Sequence, residues 1–250
     1  SYIGAGEVYP LTFSNTIGCL NATNTLTVRP SANVITPLTI TSANAVSTID
    51  INGANFVTID GRAGGTGTAI MLNIINTNIT GVAVRFINDA SNNTITYCDA
   101  QGLNSTAVPT ITTSAGVIFF NSAGVLNNLG NDNNTVSFCN IHSTGIAPAN
   151  FTALGIASFG TISTPASYND NNIITNNNIY DFFHATLAST GIKLDAGNTA
   201  WTISDNHIYQ TQSLNYAAST ATHRAIWVTP NTGSIANAAN GFIITGNYIG

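Results

Sequence analysis

Short segments in which apolar and polar residues alternate recur along the chain, and three of them begin with a pair of asparagines. Each segment is centred on one apolar anchor, and successive anchors are 29 to 41 residues apart. Such irregular spacing between anchors indicates one repeated core element joined by loops of variable length. The segments cover residues 92–101, 133–142, 171–180, 201–209 and 242–249, and their anchors are Ile95, Val136, Ile174, Ile203 and Ile244.

A second apolar motif recurs with the same frequency and has the period of two that is typical of a half-buried strand. It starts at Gly81, Gly116, Gly155 and Gly191, and a later copy starts at Ala225. Two strand motifs per repeat, without helical periodicity between them, predict an all-β right-handed parallel β-helix of roughly six coils. Two inward columns are expected, the five anchors on one wall and Ile49, Val82, Val117, Ile156, Ile192 and Ile226 on another.

The repeat divides the chain into two regions. Residues 1–24 do not show it, and we expect an irregular N-terminal cover or first turn there, because the end coil of a solenoid must shield an open edge. Residues 25–250 are predicted to form the parallel β-helix, as a segment of a longer chain. At Gly250 we therefore expect either further coils or end-to-end self-association.

Two early segments carry a resemblance to a known family. Leu26 to Val34 reads Leu-Thr-Val-Arg-Pro-Ser-Ala-Asn-Val, and Ile51 to Gly65 reads Ile-Asn-Gly-Ala-Asn-Phe-Val-Thr-Ile-Asp-Gly-Arg-Ala-Gly-Gly. Together with the later Asn-Asn-Thr-Ile and Asn-Asn-Asn-Ile copies, they resemble the β-helix modules of large secreted or cell-surface proteins of Bacteroidota. The resemblance covers residues 25–250. It implies a secreted or cell-surface location, which such proteins reach by type IX secretion.

Composition and charge exclude several classes of partner. Only 6% of the residues are charged and the net charge is −5, which disfavours nucleic acid and anionic membranes. No apolar run approaches the roughly 20 residues that cross a bilayer. We therefore expect no nucleic-acid partner and no membrane insertion, and no motif indicates a cofactor.

One position of the repeat is predicted to form a polar ladder inside the solenoid. Asn177, Asn206 and Asn247 occupy it in consecutive coils, and Cys98 and Cys139 occupy it in earlier coils. Amides stacked in register hydrogen-bond along the stack, so we expect a structural role for these residues. The two cysteines lie close enough either to form a disulfide or to remain two buried free thiols.

The charged residues show no pattern that identifies an enzyme. Glycoside hydrolysis needs two converging carboxylates, whereas we expect no two acids to share a column in adjacent coils. Lys193 and Asp195 are expected to form a solvated surface ion pair, and the four histidines lack metal-ligand spacing. We therefore expect no metal site. A polysaccharide-active β-helix enzyme, either a lyase or a glycoside hydrolase, remains the alternative to a non-catalytic module.

An aromatic stripe is the candidate ligand site. His142, Tyr180 and Tyr209 each follow an inward isoleucine by one residue, so strand alternation places all three on the outside in consecutive coils. Aromatic faces suit the apolar faces of sugar rings, although the three rings could instead stack on one another or be covered by loops 143–154 and 210–224. The sequence therefore predicts a non-catalytic stalk, fibre or adhesin that binds a glycan or another cell-surface ligand.

Overall fold

The computed structural model of the protein describes residues 7–122, 129–145, 151–161, 164–218, 220–229 and 240–250. Within these ranges the chain forms three sheets of seven strands each, in which every strand pairs in parallel with a strand of another coil. Each coil contributes one strand to each sheet, so the chain makes about seven turns instead of roughly six. The prediction of a parallel β-helix is confirmed.

The three sheets are named A, B and C in the order in which the chain enters them. Sheet A contains β1 (Leu11–Ser14), β4 (Ser47–Asn52), β7 (Val82–Ile87), β10 (Ile118–Asn121), β13 (Leu154–Phe159), β17 (Ser189–Leu194) and β21 (His223–Val228). Sheet B contains β2 (Leu26–Val28), β5 (Val57–Asp60), β8 (Thr94–Thr96), β11 (Thr135–Ser137), β15 (Ile173–Thr175), β19 (Thr202–Ser204) and β22 (Ile243–Thr245). Sheet C contains β3 (Leu38–Ser42), β6 (Leu72–Asn76), β9 (Cys98–Gly102), β12 (Asn140–Ser143), β16 (Asn178–Tyr180), β20 (His207–Tyr209) and β23 (Tyr248–Ile249).

Short elements complete the coils. A two-stranded sheet pairs β14 (Asn169–Asp170) with β18 (Asn198–Thr199), and two 3₁₀ turns cover Ala63–Gly65 and Pro165–Ser167. Strand β1 lies in the region where a cover or first turn was expected, and it forms the first strand of sheet A beside β4. The solenoid therefore includes residues 11–14.

Each asparagine-rich segment forms two strands that are separated by a sharp turn. In the segment 133–142, Asn133 precedes β11 with φ 56° and Phe138 separates β11 from β12 with φ 54°. Equivalent residues in other coils have the same left-handed backbone, which asparagine and glycine tolerate better than other residues. The need for a left-handed backbone explains why the first residue of each Asn-Asn pair is asparagine. The side chain of the second asparagine points into the interior.

The inward column of anchors lies in sheet B as predicted. Val136 pairs with Ile95 on one side and with Ile174 on the other, and the register continues to Ile203 and Ile244. All but the last of these five side chains are fully buried. The anchor register is confirmed.

The predicted column of sheet A is wrong at two of its positions. Ile49 pairs with Val84 and not with Val82, and Ile118, not Val117, pairs with Ile156. The backbone N–H groups of residues 83 and 84 both donate to the carbonyl of Val117, so a bulge displaces Val117 from the column. Val82 is two residues out of place for another reason, because the continuous register of β4 and β7 sets it beside Ser47. Alignment of the glycines could not reveal this bulge.

The outer face of sheet A is covered by chain from an earlier coil. Ala107 and Ala115 of the segment 103–116 pack with Phe119 in a second apolar cluster outside the main core. Lys193 lies under this cover at 2% exposure, and its Nζ donates to the carbonyl of Ala107 at 3.2 Å. Its ion pair with Asp195, at 3.1 Å, is therefore buried, and the expectation of a solvated surface pair is wrong.

Candidate functional site

The outer face of sheet C brings the three predicted stripe residues together. His142 pairs with Tyr180, and Tyr180 pairs with Tyr209, in three adjacent strands. The ring centroids of the first pair are 4.5 Å apart at an interplanar angle of 12°, and those of the second pair are 5.2 Å apart at 14°. The rings therefore cover one another's faces, and all three side chains are partly exposed at their edges.

One ring face in this stack is not covered from the next coil. Tyr248 and Ile249 pair with His207 and Ile208, which places Gly250 beside Tyr209. Among the residues that the structure describes, no atom lies within 4 Å of a Cβ built on Gly250. A flat ligand has room to lie against Tyr209 at this point.

His142 is held by two acceptors. Its Nε2 lies 2.8 Å from Asp99 Oδ1, and its Nδ1 lies 2.7 Å from the carbonyl oxygen of Ser143. A carboxylate and a carbonyl oxygen are both hydrogen-bond acceptors, so both ring nitrogens of His142 are engaged. Gln101 donates to the other carboxylate oxygen of Asp99 at 3.2 Å. The stripe therefore begins with a histidine whose ring is held on both sides.

The two tyrosines keep their protons at physiological pH. Burial, followed by the charge of Asp99, raises the pKa of the Tyr180 phenol well above its usual range. Burial and the nearby carboxylate of Asp181 also raise the pKa of Tyr209. Both phenols are therefore neutral hydrogen-bonding groups at the exposed edge of the stack.

The predicted ladder residues hydrogen-bond with one another, and all of them except the half-buried Asn247 are buried. Asn177 Nδ2 donates to Asn206 Oδ1 at 2.9 Å and to the carbonyl of Val136 at 2.9 Å. Asn206 repeats this pattern toward Asn247, also at 2.9 Å. The side-chain amides are therefore engaged in hydrogen bonds between coils, and they offer no binding site to a ligand.

The cysteines continue the same ladder as free thiols. The backbone N–H of Cys98 donates to Cys139 Sγ at 3.4 Å, and the N–H of Cys139 donates to Asn177 Oδ1 at 3.0 Å. Cys98, Cys139 and Cys19 are all free. The hydrogen bond with Cys139 and burial raise the pKa of the Cys98 thiol well above its usual range, which makes this thiol unreactive.

A second asparagine ladder was not predicted. Asn93, Asn134 and Asn172 are buried, and each side-chain oxygen accepts the backbone N–H of the residue in the preceding coil at 2.9 to 3.0 Å. The signal was present in the sequence, because each of these residues is the second asparagine of an Asn-Asn pair two positions before an anchor. Two ladders therefore flank the strands of sheet B.

Two acids meet at the corner between sheets A and B, which contradicts the expectation that no two acids share a column. Asp132 and Asp170 each lie four residues before an anchor, and Asp132 Oδ1 accepts the backbone N–H of Asp170 at 2.7 Å. Burial raises the pKa of Asp132 to about 7 and that of Asp170 to about 6. Asp132 also lines a polar cavity of about 340 Å³, together with Asp89, Ser91 and several asparagines.

The remaining expectations about sites concern metals and membranes. In the described ranges, no group of three or more His, Cys, Asp and Glu side chains is arranged to hold a metal ion. Among the same residues, no helix is long and apolar enough to span a bilayer. Of the loops 143–154 and 210–224, which could cover the stripe, residues 146–150 and 219 lie outside the described residues. In the second loop, Tyr216 contacts Phe183 and His223.

Comparisons with known proteins find similarity only at the level of solved structures. No family model matches the sequence, and no curated protein matches it significantly. The fold is similar to that of PfbA, a surface adhesin of Streptococcus pneumoniae, at 16% identity and a TM-score of 0.49 over 95% of this chain. It is also similar to an alginate lyase from Paenibacillus sp. str. FPU-7, at 12% identity and a TM-score of 0.43 over 92% of this chain and 85% of the lyase. This chain matches 57% of the length of the adhesin chain.

Proposed function

We propose that this chain is a non-catalytic β-helical module of a secreted or cell-surface protein and that it binds glycans on the outer face of sheet C. The observation that carries the proposal is the stack of His142, Tyr180 and Tyr209, which follows the solenoid axis at the surface. Phenol groups offer hydrogen bonds to sugar hydroxyls, and the open face of Tyr209 offers an apolar surface to a sugar ring. A rigid sheet holds these groups in place before the ligand arrives, which lowers the entropic cost of binding.

The proposal is tested on a glycan array with the double variant Tyr180→Ala/Tyr209→Ala. We expect at least about a tenfold loss of retention, since both ring contacts and phenol hydrogen bonds are removed. The double variant Tyr180→Phe/Tyr209→Phe is the matched control, because it keeps the rings and removes only the hydroxyls. Unchanged retention by the alanine variant with intact thermal unfolding, or no retention by the parent, would refute the binding role.

The acidic corner favours a second candidate function, a glycoside hydrolase. Asp132 lines a polar cavity and has a pKa of about 7, raised by burial, which suits a general acid, and Asp170 supplies a second carboxyl group beside it. The test is the release of reducing ends from any glycan that the protein retains. Release that is lost in Asp132→Asn supports the enzyme, and absence of release from retained glycans supports the non-catalytic module.

The location and assembly of the module are part of the same proposal. Low charge and the resemblance of residues 25–250 to secreted Bacteroidota modules support a role outside the cell, with type IX secretion as the route. The inward side chains of Ile244 and Ile249, on β22 and β23, are 49% and 70% exposed, which supports stacking of further coils or of a second copy on this edge. Sedimentation velocity tests self-association, and a monomer at high protein concentration would count against it.

A further inference from the structure

A second aromatic column runs beside the stripe on the same side of the solenoid. Tyr97 and Phe138 occupy the turn between sheets B and C in adjacent coils, and their rings stack at 4.9 Å with an interplanar angle of 9°. Phe138 is 43% exposed. The guanidinium of Arg62 lies 4.5 Å from the centre of the Tyr97 ring and closes the other end of this stack.

The backbone of this second column is unfavourable for the residues that it carries. Tyr97 and Phe138 have φ values of 51° and 54°, a left-handed conformation that bulky side chains rarely adopt. Later coils place Asn176, Asp205 and Gly246 at the equivalent turn, and these residue types tolerate it. Packing within the solenoid does not require an exposed aromatic ring here, and strained residues of this kind cluster at functional sites.

A row of small polar side chains separates the two aromatic columns. Asn140 and Asn178 lie side by side on the outer face of sheet C, and Asn178 Nδ2 donates to Asn140 Oδ1 at 3.0 Å. Phe138 precedes Asn140 by two residues and His142 follows it by two. At about 3.3 Å per residue the two aromatic walls are therefore up to about 13 Å apart. The result is a shallow trough along the solenoid axis with an amide floor. Its two aromatic walls face each other in the coil of Phe138 and His142, and from there the second column continues to Tyr97 in the preceding coil and the stripe to Tyr180 and Tyr209 in the following coils.

The charges around the trough are acidic. All five Lys and Arg residues of the sequence fall within the described ranges, and none of them lies on a strand of sheet C. Arg62, the basic residue beside the second wall, makes two 2.8 Å contacts with the carboxylate of Asp60. The acids nearest the trough are Asp99 on β9, Asp205 at the turn and Asp181 after β16. Of these three, Asp99 is the one that contacts His142.

We propose that the trough between these two aromatic walls binds an uncharged glycan chain that runs along the solenoid axis over Asn140 and Asn178. The inference rests on the proposed glycan-binding function and adds the ligand class, the direction of the chain and Phe138 as a second wall. Aromatic walls contact the apolar C–H surfaces of the sugars, and the amides of the floor offer hydrogen bonds to their hydroxyls. A polymer of uronic acids would meet acidic borders without a free cation to compensate its charge.

The test compares retention of neutral glycans, such as soluble β-glucan, xylan and mannan, with retention of polygalacturonate and heparin. We expect the neutral glycans to be retained, and we expect Phe138→Asn to weaken that retention about tenfold. Asparagine already occupies the equivalent turn at Asn176, so this variant should fold with an unchanged or higher melting temperature. Ile173→Thr is the matched control, because Ile173 is exposed on sheet B and threonine occupies the neighbouring positions at residues 135 and 202.

The possible outcomes separate this inference from the proposed function. Preferential retention of the acidic polymers, lost in Tyr180→Ala/Tyr209→Ala, keeps the glycan-binding role and overturns the neutral ligand. Retention by Phe138→Asn that equals the wild type overturns the second wall. Failure of the parent to retain either class defeats the binding role and this inference with it. Loss of neutral-glycan retention in Phe138→Asn but not in Ile173→Thr supports the trough.

Discussion

Replacement of Asn134 by alanine tests whether the unpredicted ladder holds the coils together. Asn134 Oδ1 accepts from the backbone N–H and from the side chain of Asn93, both at 3.0 Å. Its Nδ2 donates to the carbonyl of Ala90 at 2.8 Å and to Asn172 Oδ1 at 3.1 Å. Alanine removes all four hydrogen bonds inside a fully buried part of the solenoid.

The expected loss of stability follows from the groups left without a partner. The amide of Asn93 still donates to the carbonyl of Ala54, and Asn172 Oδ1 still accepts the backbone N–H of residue 134. The Asn93 backbone N–H and the Ala90 carbonyl lose these partners, at about 1 to 3 kcal/mol for each buried group. We therefore expect Asn134→Ala to lower the free energy of unfolding by about 2 to 6 kcal/mol.

The neighbouring residue supplies a matched control. Asn133 is exposed and has φ 56°, so Asn133→Gly keeps the left-handed turn and should change the free energy of unfolding by less than about 0.5 kcal/mol. The assay is urea unfolding followed by circular dichroism, with amide hydrogen exchange at residue 93 as a local probe. Equal midpoints for the two variants, or unchanged exchange at residue 93, would show that the ladder is not a source of stability.

Two further predictions concern the charged groups. Burial raises the pKa of Asp132 from an ordinary 3.8 to about 7, so between these pH values the folded state keeps a proton that the unfolded state has lost. Stability should therefore fall as pH rises from about 4 to about 7, with Asp132 contributing at most about 1.4 kcal/mol per pH unit and Asp170 adding to the fall below about pH 6. Asp132→Asn should reduce the dependence of the melting temperature on pH, most clearly between about pH 6 and about pH 7, and a wild-type slope that persists in this variant would contradict the assignment. Lys193→Met should release the segment around Ala107, because its hydrogen bond to that carbonyl is lost while Asp195 is left without its cation. Faster proteolysis within residues 103–116 checks this, and unchanged cleavage would show that the lysine does not hold the segment.

The sequence predicted those parts of the fold in which the same residue type is required at the same position of every coil. The anchors of sheet B could be aligned because each must be apolar and lies between two turns that favour asparagine or glycine. At the start of the sheet A strands, Gly116 has a left-handed backbone but the aligned Gly81, Gly155 and Gly191 do not, so glycine was a poor guide and the bulge beside Val84 was missed. Alternation specifies which side of a strand faces inward, but it does not specify the register.

The candidate sites were predictable to different degrees. Strand alternation was enough to bring His142, Tyr180 and Tyr209 into one row, because all three positions are local to a repeated strand. The burial of Lys193 depends on a segment 86 residues earlier in the chain, and no local pattern reports a contact of that kind. The pairing of Asp132 with Asp170 could have been read from their common distance to the anchors.

The backbone N–H donors of the second ladder all point to the coil that follows in the chain. The backbone N–H of Val57 donates to Asn93, that of Asn93 to Asn134, and that of Asn134 to Asn172, so each coil finds its acceptor in the coil made after it. During synthesis the newest coil therefore keeps unpaired donors until its successor arrives, and coils should become protected in the order in which they are made. A chain shortened to end before residue 169 should show faster amide exchange at residue 134 and unchanged exchange at residue 57.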